Sequence, residues 1–373
     1  MSIEYLEIRN QNLEIAGIVD VFKSLIWHVE YYGAGDFEIY APVSPVNLAL
    51  LIEDNFVTRP NDENVGVIET VEYTFSATDG RMIVASGRFA KSILDRRLTV
   101  SVITVGDIPI PYEMTGNVEL AVRNLIWYNI MGCTWDTTRN VSILDLGTRK
   151  MFPQEIVDEN GNSTSIQTFL DNLLTWTDEF LKKYGLAANV TINSEQMLEY
   201  NVYQGKNRAV DNTDGNTPVI FSQDYENLIS SSFKSDKKIY KNFAVIGGET
   251  SGSPRYYATT QTAESGLNRR EIFIDGSNTS RTLSGSTITP QEYVKQLCAI
   301  AVQKLAGLAN YQSFDGEINL NSLTFVYKTN YDIGDIVTIQ DSDTKVFSNV
   351  RILEITEVQD DNGYTLTGKY ESV

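Results

Sequence analysis

The side chains able to do chemistry in this chain are few and far apart. The single histidine, His28, is the only candidate base for a nucleophilic triad, and no Ser or Cys motif stands at a recognisable distance from it. It falls on the polar side of an aromatic strand, where a surface or packed structural histidine is expected. No G-x-S-x-G or H-E-x-x-H motif occurs. One histidine and two distant cysteines, Cys133 and Cys298, give no zinc ligand set. Both cysteines sit in helix-like apolar segments, which predicts buried reduced thiols. Residues 247–254 have G-x-x-x-x-G spacing, but Ser253 stands where a phosphate loop needs Lys, and Pro254 disfavours a helix there. Asp211, Asp214 and Gly215 hint at calcium, as do Asp341 and Asp343, yet neither set is followed by the Glu that completes an EF-hand. Paired carboxylates for glycoside hydrolysis stay open, because such pairs come from distant strands and leave no fixed spacing. Lys234, Lys237, Lys238 and Lys241, interleaved with Asp236, read as a solvated face or subunit contact. No catalytic, cofactor-binding or metal-binding residue is assigned, and no cofactor is expected.

The elements that position these residues are mainly strands. From Leu25 to Tyr32, alternate residues separate into Leu25, Trp27, Val29, Tyr31 and Ile26, His28, Glu30, Tyr32, the period-2 pattern of a half-buried strand. Gly33-Ala34-Gly35 breaks it, and Phe37-Glu38-Ile39-Tyr40 begins a return strand. Further strands are expected over 65–76 and 82–87 about a turn at Asp79-Gly80, so residues 1–110 read as one antiparallel β unit. Val118, Ala121, Val122, Leu125 and Ile126 line one face of a helix closed by Gly132. Ile166, Phe169, Leu170, Leu173, Leu174, Phe180 and Leu181 predict a second helix, ended by Gly185. A third starts at Thr289-Pro290-Gln291-Glu292, a capping box with proline in the first turn. Residues 211–218, 247–254 and 276–287 read as loops. Strands return at 318–327, 336–339, 350–358 and 364–370, with Asp361-Asn362-Gly363 as a tight hairpin turn.

At 373 residues the chain has room for two or three cores. Twenty Tyr and fifteen Phe against nine Pro favour strand. No apolar stretch approaches the ~18 residues of a membrane-spanning helix, so no stable membrane anchoring is expected. The acidic start Met1-Ser2-Ile3-Glu4-Tyr5 is wrong for a secretory signal, which points to synthesis in a cytoplasm. Net charge is −19, with −9 in residues 1–70, −6 in 316–373 and only −4 in the long middle. A surface of this sign repels phosphate, so specific nucleic-acid binding is not expected. Plain solubilisation by the acid is the other reading.

Three separated segments carry a resemblance. The first runs Trp27-His28-Val29-Glu30-Tyr31-Tyr32-Gly33-Ala34-Gly35-Asp36-Phe37-Glu38-Ile39-Tyr40-Ala41-Pro42. The second is Phe221-Ser222-Gln223-Asp224-Tyr225-Glu226-Asn227-Leu228, continued by Tyr240-Lys241-Asn242-Phe243-Ala244-Val245-Ile246-Gly247-Gly248. The third is Tyr331-Asp332-Ile333-Gly334-Asp335-Ile336-Val337-Thr338-Ile339. In this order they resemble the tail hub or tail-tip (baseplate hub) proteins of long-tailed bacteriophages and prophages.

The resemblance implies an α+β, β-rich chain of antiparallel, barrel-like tube domains with a few packed helices, forming a ring. It implies an N-terminal tube-type β domain over 1–115, a helix-containing middle domain over 116–215, a second tube-type domain over 216–315, and a C-terminal β unit over 316–373. Carried over by residue, Trp27 and Phe37 lie in the first tube domain. Asp224, Asn227, Tyr240 and Asn242 lie in strands of the second, and Gly334-Asp335 is the turn that opens the C-terminal unit. These eight are the structural and interface candidates. The implied function is a non-enzymatic virion protein, a homotrimeric hub that closes the tail tube and joins it to the tip or baseplate, made in the host bacterial cytoplasm. Implied partners are the tail tube or distal tail protein, the tape measure protein and tail spike or fibre proteins. DNA would pass through the lumen without being specifically bound, and the acidic ends would face that lumen or a tail-facing surface. Two other readings stay open: a glycan- or receptor-binding module with exposed aromatics such as Tyr256-Tyr257 or Trp127-Tyr128, and a glycoside hydrolase.

Overall fold

The alternation read between Leu25 and Tyr31 is realised in the computed structural model: Leu25, Trp27, Val29 and Tyr31 are buried, while Ile26, His28 and Glu30 are half-buried. The structure describes residues 3–103, 110–158, 161–250, 254–283, 286–308, 311–319, 324–341 and 346–373. It divides into two compact units, each assembled from separated stretches. Met1–Ser92, Ala187–Ser235 and Gln312–Val373 form the first; Ile93–Leu186 and Asp236–Tyr311 form the second.

The first unit is organised by one long mixed sheet. The strand Ser24–Glu30 pairs antiparallel with Asp36–Pro42 on one side and with Val346–Asp360 on the other. From Asp36–Pro42 the order continues through Gly80–Phe89, Gly66–Ser76, Phe56–Thr58 and Leu6–Arg9 to the edge strand Ile15–Val19. From Val346–Asp360 it continues through Gly363–Ser372 and Tyr311–Ile318 to Leu228–Asp236. Ile336–Asp341 also pairs with Val346–Asp360 and carries the parallel strand Ile220–Ser222. Two apolar clusters form beneath. One gathers Leu6, Ile8, Trp27, Phe37, Ile39 and Phe89; the other gathers Phe221, Tyr331, Val337, Ile339, Ile352 and Tyr370. Ile333 packs against both.

The second unit holds the three expected helices, Val118–Ile126, Leu173–Lys183 and Pro290–Ala306. Thr289 and Glu292 form the predicted capping box. Tyr293, Leu297 and Ala301 of that helix pack with Ala244, Ile246 and Ala258 from a small sheet, in which Phe243–Gly247 pairs antiparallel with Tyr257–Thr259 and parallel with Glu271–Asp275.

The structure corrects three element assignments. The second helix begins at Leu173 and not near Ile166. Asn172 caps it by accepting from the Thr175 amide at 3.0 Å, and Ser165–Thr168 is a strand paired with Tyr112–Thr115. Asp171-Asn172 supply local hydrogen bonds that compete with helix, which outweighs the apolar spacing upstream. The strand expected over 318–327 instead ends at Ile318, and residues 324–330 turn, with the Asn330 side chain accepting from the Val326 amide at 2.8 Å. Residues 320–323 lie outside the described residues. The loop read over 276–287 contains two short paired strands, Thr282–Leu283 and Ser286–Thr287.

Candidate functional site

Trp27 and Phe37 face each other across the hairpin of Ser24–Glu30 and Asp36–Pro42 as a cross-strand pair, with ring centroids 5.7 Å apart, and Phe89 meets Trp27 edge-on at 4.8 Å. Aromatic pairs in this geometry add to the burial they already provide. Both candidate residues are therefore core, not surface.

Above Trp27 lies a buried ion network that no sequence spacing announces. The Arg59 guanidinium stacks over the indole at 4.9 Å and donates to Asp62 and Glu357. All three side chains are nearly sealed from solvent. Lys328 reaches Asp62 at 3.3 Å, and the Tyr364 hydroxyl donates to Glu357. Burial pushes the Asp62 carboxyl up, but Arg59, Lys328 and the Asn64 amide outweigh it and hold the group below the ordinary carboxylate range. Asp62 and Glu357 are paired buried carboxylates, the arrangement the sequence left open. Both are clamped by one guanidinium, and Asp62 is held ionised, which is wrong for a proton donor.

Gly334 and Asp335 form a second interlock. Gly334 has φ +84, and a Cβ there would stand 2.2 Å from the Tyr31 ring, so only glycine fits. Gly205 approaches just as closely, since its Cβ would meet the Gly334 carbonyl at 2.0 Å. Asp335 is buried and accepts from the Lys206 amide at 2.6 Å, the Asp332 amide at 3.1 Å and Arg208 Nε at 2.8 Å. Tyr31 packs edge-on against Tyr203 at 5.5 Å and accepts from the Gly205 amide at 3.3 Å. Three segments, around Tyr31, 203–208 and 331–336, are thus tied at one corner. The predicted turn is real, and its acid is a staple.

On the opposite face of the Trp27 strand, His28 sits among carboxylates. Nδ1 lies 3.0 Å from Asp36, Nε2 3.3 Å from Glu354, and Glu30 is 4.0 Å away. The bond to Glu354, joined by that to Asp36, outweighs burial and pushes the imidazole up to about 9. At neutral pH it is an imidazolium donating from both nitrogens. His28, Glu30 and Asp36 are also the one group among the described residues with metal-ligand proximity. Here the imidazolium itself supplies the positive charge. The structural histidine expected from sequence is thus a charged one.

The remaining candidates are not gathered into a site. Asp224 and Asn227 lie in the turn between Ile220–Ser222 and Leu228–Asp236, not within strands. Asn227 is buried there, accepting from the Ser222 amide at 2.8 Å and donating to the Ile220 carbonyl at 2.7 Å, while Asp224 is exposed. Tyr240 and Asn242 belong to the second unit, just before Phe243–Gly247, again outside the strand. Asn242 bridges the Asn268 carbonyl and the Arg270 amide, both at 2.8 Å. In the glycine-rich segment, Gly248 packs against the Tyr293 hydroxyl, which accepts from the Glu249 amide at 2.7 Å. Residues 251–253 of that segment, and Asp343, lie outside the described residues. Cys133 and Cys298 are buried and not joined in a disulfide, and the Cys298 thiol donates to the Thr259 carbonyl at 3.6 Å. Trp127 and Tyr257 are exposed, whereas Tyr256 packs edge-on against Tyr293 at 6.0 Å. No helix among the described residues is long and apolar enough to cross a membrane.

Residues 5–368 match the family described as Siphovirus ReqiPepy6 Gp37-like protein. No curated protein matches. Among solved structures, the prophage MuSo2 43 kDa tail protein from Shewanella oneidensis is similar over 98% of each chain, at 12% identity and a TM-score of 0.56. A tail protein from Neisseria meningitidis MC58 is similar over 99% of this chain and 96% of its own, at 10% identity and 0.54. The prophage tail protein gp18 from Listeria monocytogenes EGD-e matches over 98% and 94%, at 12% identity and 0.51. At such identities the shared property is the fold, which spans the whole chain.

Proposed function

The chain belongs to the Siphovirus ReqiPepy6 Gp37-like family, and from that premise we propose that it is a structural hub of a phage tail tip. In this reading three copies form a ring that closes the tail tube and joins it to the tip or baseplate, with no catalytic role. The observation that carries it is the likeness in fold to prophage tail proteins, over 98% of this chain and 98% of the Shewanella protein and over 99% and 96% for the Neisseria one.

The surface supports self-association. The sheet ends in the edge strand Ile15–Val19, which exposes Ile15 and Ile18, and Val21 just beyond is exposed as well. An apolar open edge invites pairing with another chain, and a ring would cover it. The tail tube or distal tail protein, the tape measure protein and spike or fibre proteins are the partners this position would give it, and the virion its location.

Light scattering on the purified chain, followed by negative-stain images of the peak, tests the reading. A particle of three times the chain's mass with a central pore is expected. A monomer at every concentration, with Ile18→Glu behaving identically, would overturn the trimeric ring.

A further inference from the structure

In the second unit, the helix Pro290–Ala306 packs on one face of the small three-stranded sheet. On the other face Tyr257 and Phe273 are 56% and 55% exposed, with Val245 and Phe243 half-buried beside them. Two guanidinium groups are held among these rings. Arg255 lies 5.6 Å from the Tyr257 ring and 5.9 Å from that of Phe273. It donates to the Gly248 and Gly247 carbonyls at 2.8 and 3.1 Å and to Asp275 at 2.6 Å. Glycine at 247 makes the room, since a Cβ there would stand 2.8 Å from the guanidinium. Arg269 lies 3.7 Å over the Phe243 ring and donates to Glu271 at 2.6 Å. Aromatic rings interleaved with arginine are what the centres of protein interfaces are enriched in. Because these side chains are already held in place, covering them costs little further ordering.

The charge around this face says what covers it. Asp275 and Glu271 balance the two arginines, and beyond them Arg270 donates to the Lys237 carbonyl at 2.8 Å, where Lys237 and Lys238 are exposed. Residues 236–275 hold six basic and five acidic residues, a net +1, whereas the first unit holds 13 and 31, a net −18. Two first units repel each other, and a first unit meets far less repulsion on this face. A cyclic ring demands such a pairing of unlike surfaces, since each copy meets its two neighbours through two different patches. The exposed apolar edge Ile15–Val19 lies between Glu14 and Asp20 and is one such patch. The aromatic face of the second unit has the apolar surface and the opposite charge to be the other.

We propose that the outer face of this small sheet is where a second copy of the chain docks the apolar edge of its acidic first unit. The inference rests on the ring reading and names the two surfaces that meet in it. The lysines at 237 and 238 then rim a subunit contact. Light scattering on the full chain tests it with Tyr257→Thr/Phe273→Thr. Threonine suits a strand and both side chains are more than half exposed, so the melting temperature should stay within about 4 °C. The trimer should dissociate to single chains, with association weakened about a hundredfold or more. Mixed with Ile18→Glu, which keeps its aromatic face, this variant should give a particle of two chain masses and no ring, because one intact pairing survives between them. Lys237→Glu/Lys238→Glu leaves the rings untouched and should weaken the trimer more at low salt than at high. A native chain that is monomeric at every concentration overturns the ring and this inference together. A native trimer that Tyr257→Thr/Phe273→Thr leaves intact overturns this inference alone. So does a mixture of the two variants that stays monomeric, or a lysine variant as stable as the native trimer at low salt.

Discussion

Replacing Arg59 by Leu removes the one group that neutralises two carboxylates nearly sealed from solvent. Asp62 and Glu357 have side-chain exposures of 1% and 6%. Truncating one partner of such a buried set costs about 3–5 kcal/mol, because the surviving charges keep their desolvation penalty without their attraction. The stacking over Trp27 is lost with it. Lys328 still stands 3.3 Å from Asp62 and Tyr364 still donates to Glu357, so the lower half of that range is expected. In a unit of this size about 3–4 kcal/mol lowers the melting temperature by roughly 6–16 °C. The effect also has a sign in pH. In the native chain Asp62 is held below its ordinary value of 3.8, which stabilises the fold above that pH and fades as acid protonates it. Without Arg59, burial is opposed only weakly, the carboxyl rises, and protonation relieves the variant. The gap between native chain and Arg59→Leu should therefore narrow as pH falls from 7 to 5. Urea unfolding followed by tryptophan fluorescence reads both quantities. A loss under about 1 kcal/mol, or the same gap at both pH values, would refute the reasoning. Adding Asp62→Asn and Glu357→Gln to Arg59→Leu should recover much of the loss, since no orphan charge remains.

Gly334→Ala should cost about 2–4 kcal/mol in urea unfolding, from a left-handed backbone with a β-carbon and from the Tyr31 ring 2.2 Å away; an unchanged midpoint would show that the corner yields. His28 gives a second pH signature. Moving an imidazole from 6.5 to about 9 corresponds to roughly 3 kcal/mol, discounted to about 1–2 because the Asp36 side chain is 57% exposed and screened. The folded group binds its proton more tightly than the unfolded one. Its stabilisation is thus complete below pH 6.5 and is lost as pH rises through about 9. The groups facing it are Asp36, Glu30 and Glu354, with Lys369 2.8 Å from Glu354. Urea titrations at pH 6, 7.5 and 9 should show the native chain losing this increment while His28→Gln stays flatter; parallel profiles would remove His28 from the account.

What could be read from sequence was what neighbours in sequence decide. The alternation around Trp27, the turns at Asp79-Gly80 and Asp361-Asn362-Gly363, and the capping box at Thr289 are set by residues within a few positions. The turn at Gly334-Asp335 was legible only through the family resemblance, with glycine's tolerance of positive φ as its local reason. Nothing local says that the Trp27 strand pairs with Val346–Asp360, or that Arg59 meets Glu357 from 298 positions away. Arg59 and Glu357 each look like an ordinary surface charge. Only the pairing of distant strands turns them inward over Trp27. The helix expected from Ile166 failed in the opposite way. Its apolar spacing was right, but Asp171-Asn172 stopped the backbone first.

The charge pattern acquires a different meaning once the two units are known. Along the chain the acid looks like two acidic ends around a neutral middle. In the fold, both ends and the 187–235 segment belong to the first unit, which holds 31 acidic and 13 basic residues, a net −18. The second holds 18 and 17, a net −1. Solubility alone gives no reason for two units of comparable length to differ so much, because charge solubilises wherever it is exposed. Part of the excess is also internal, as Asp62, Asp335 and Glu357 are spent on buried staples. The rest is concentrated on the unit built around the long sheet. If that sheet forms the wall of a tube, a negative wall repels the phosphates of passing DNA and lets it slide without sticking. Reversing the sign on the lumen-facing strands should then retain DNA on an assembled ring, whereas the same reversal on the second unit should not.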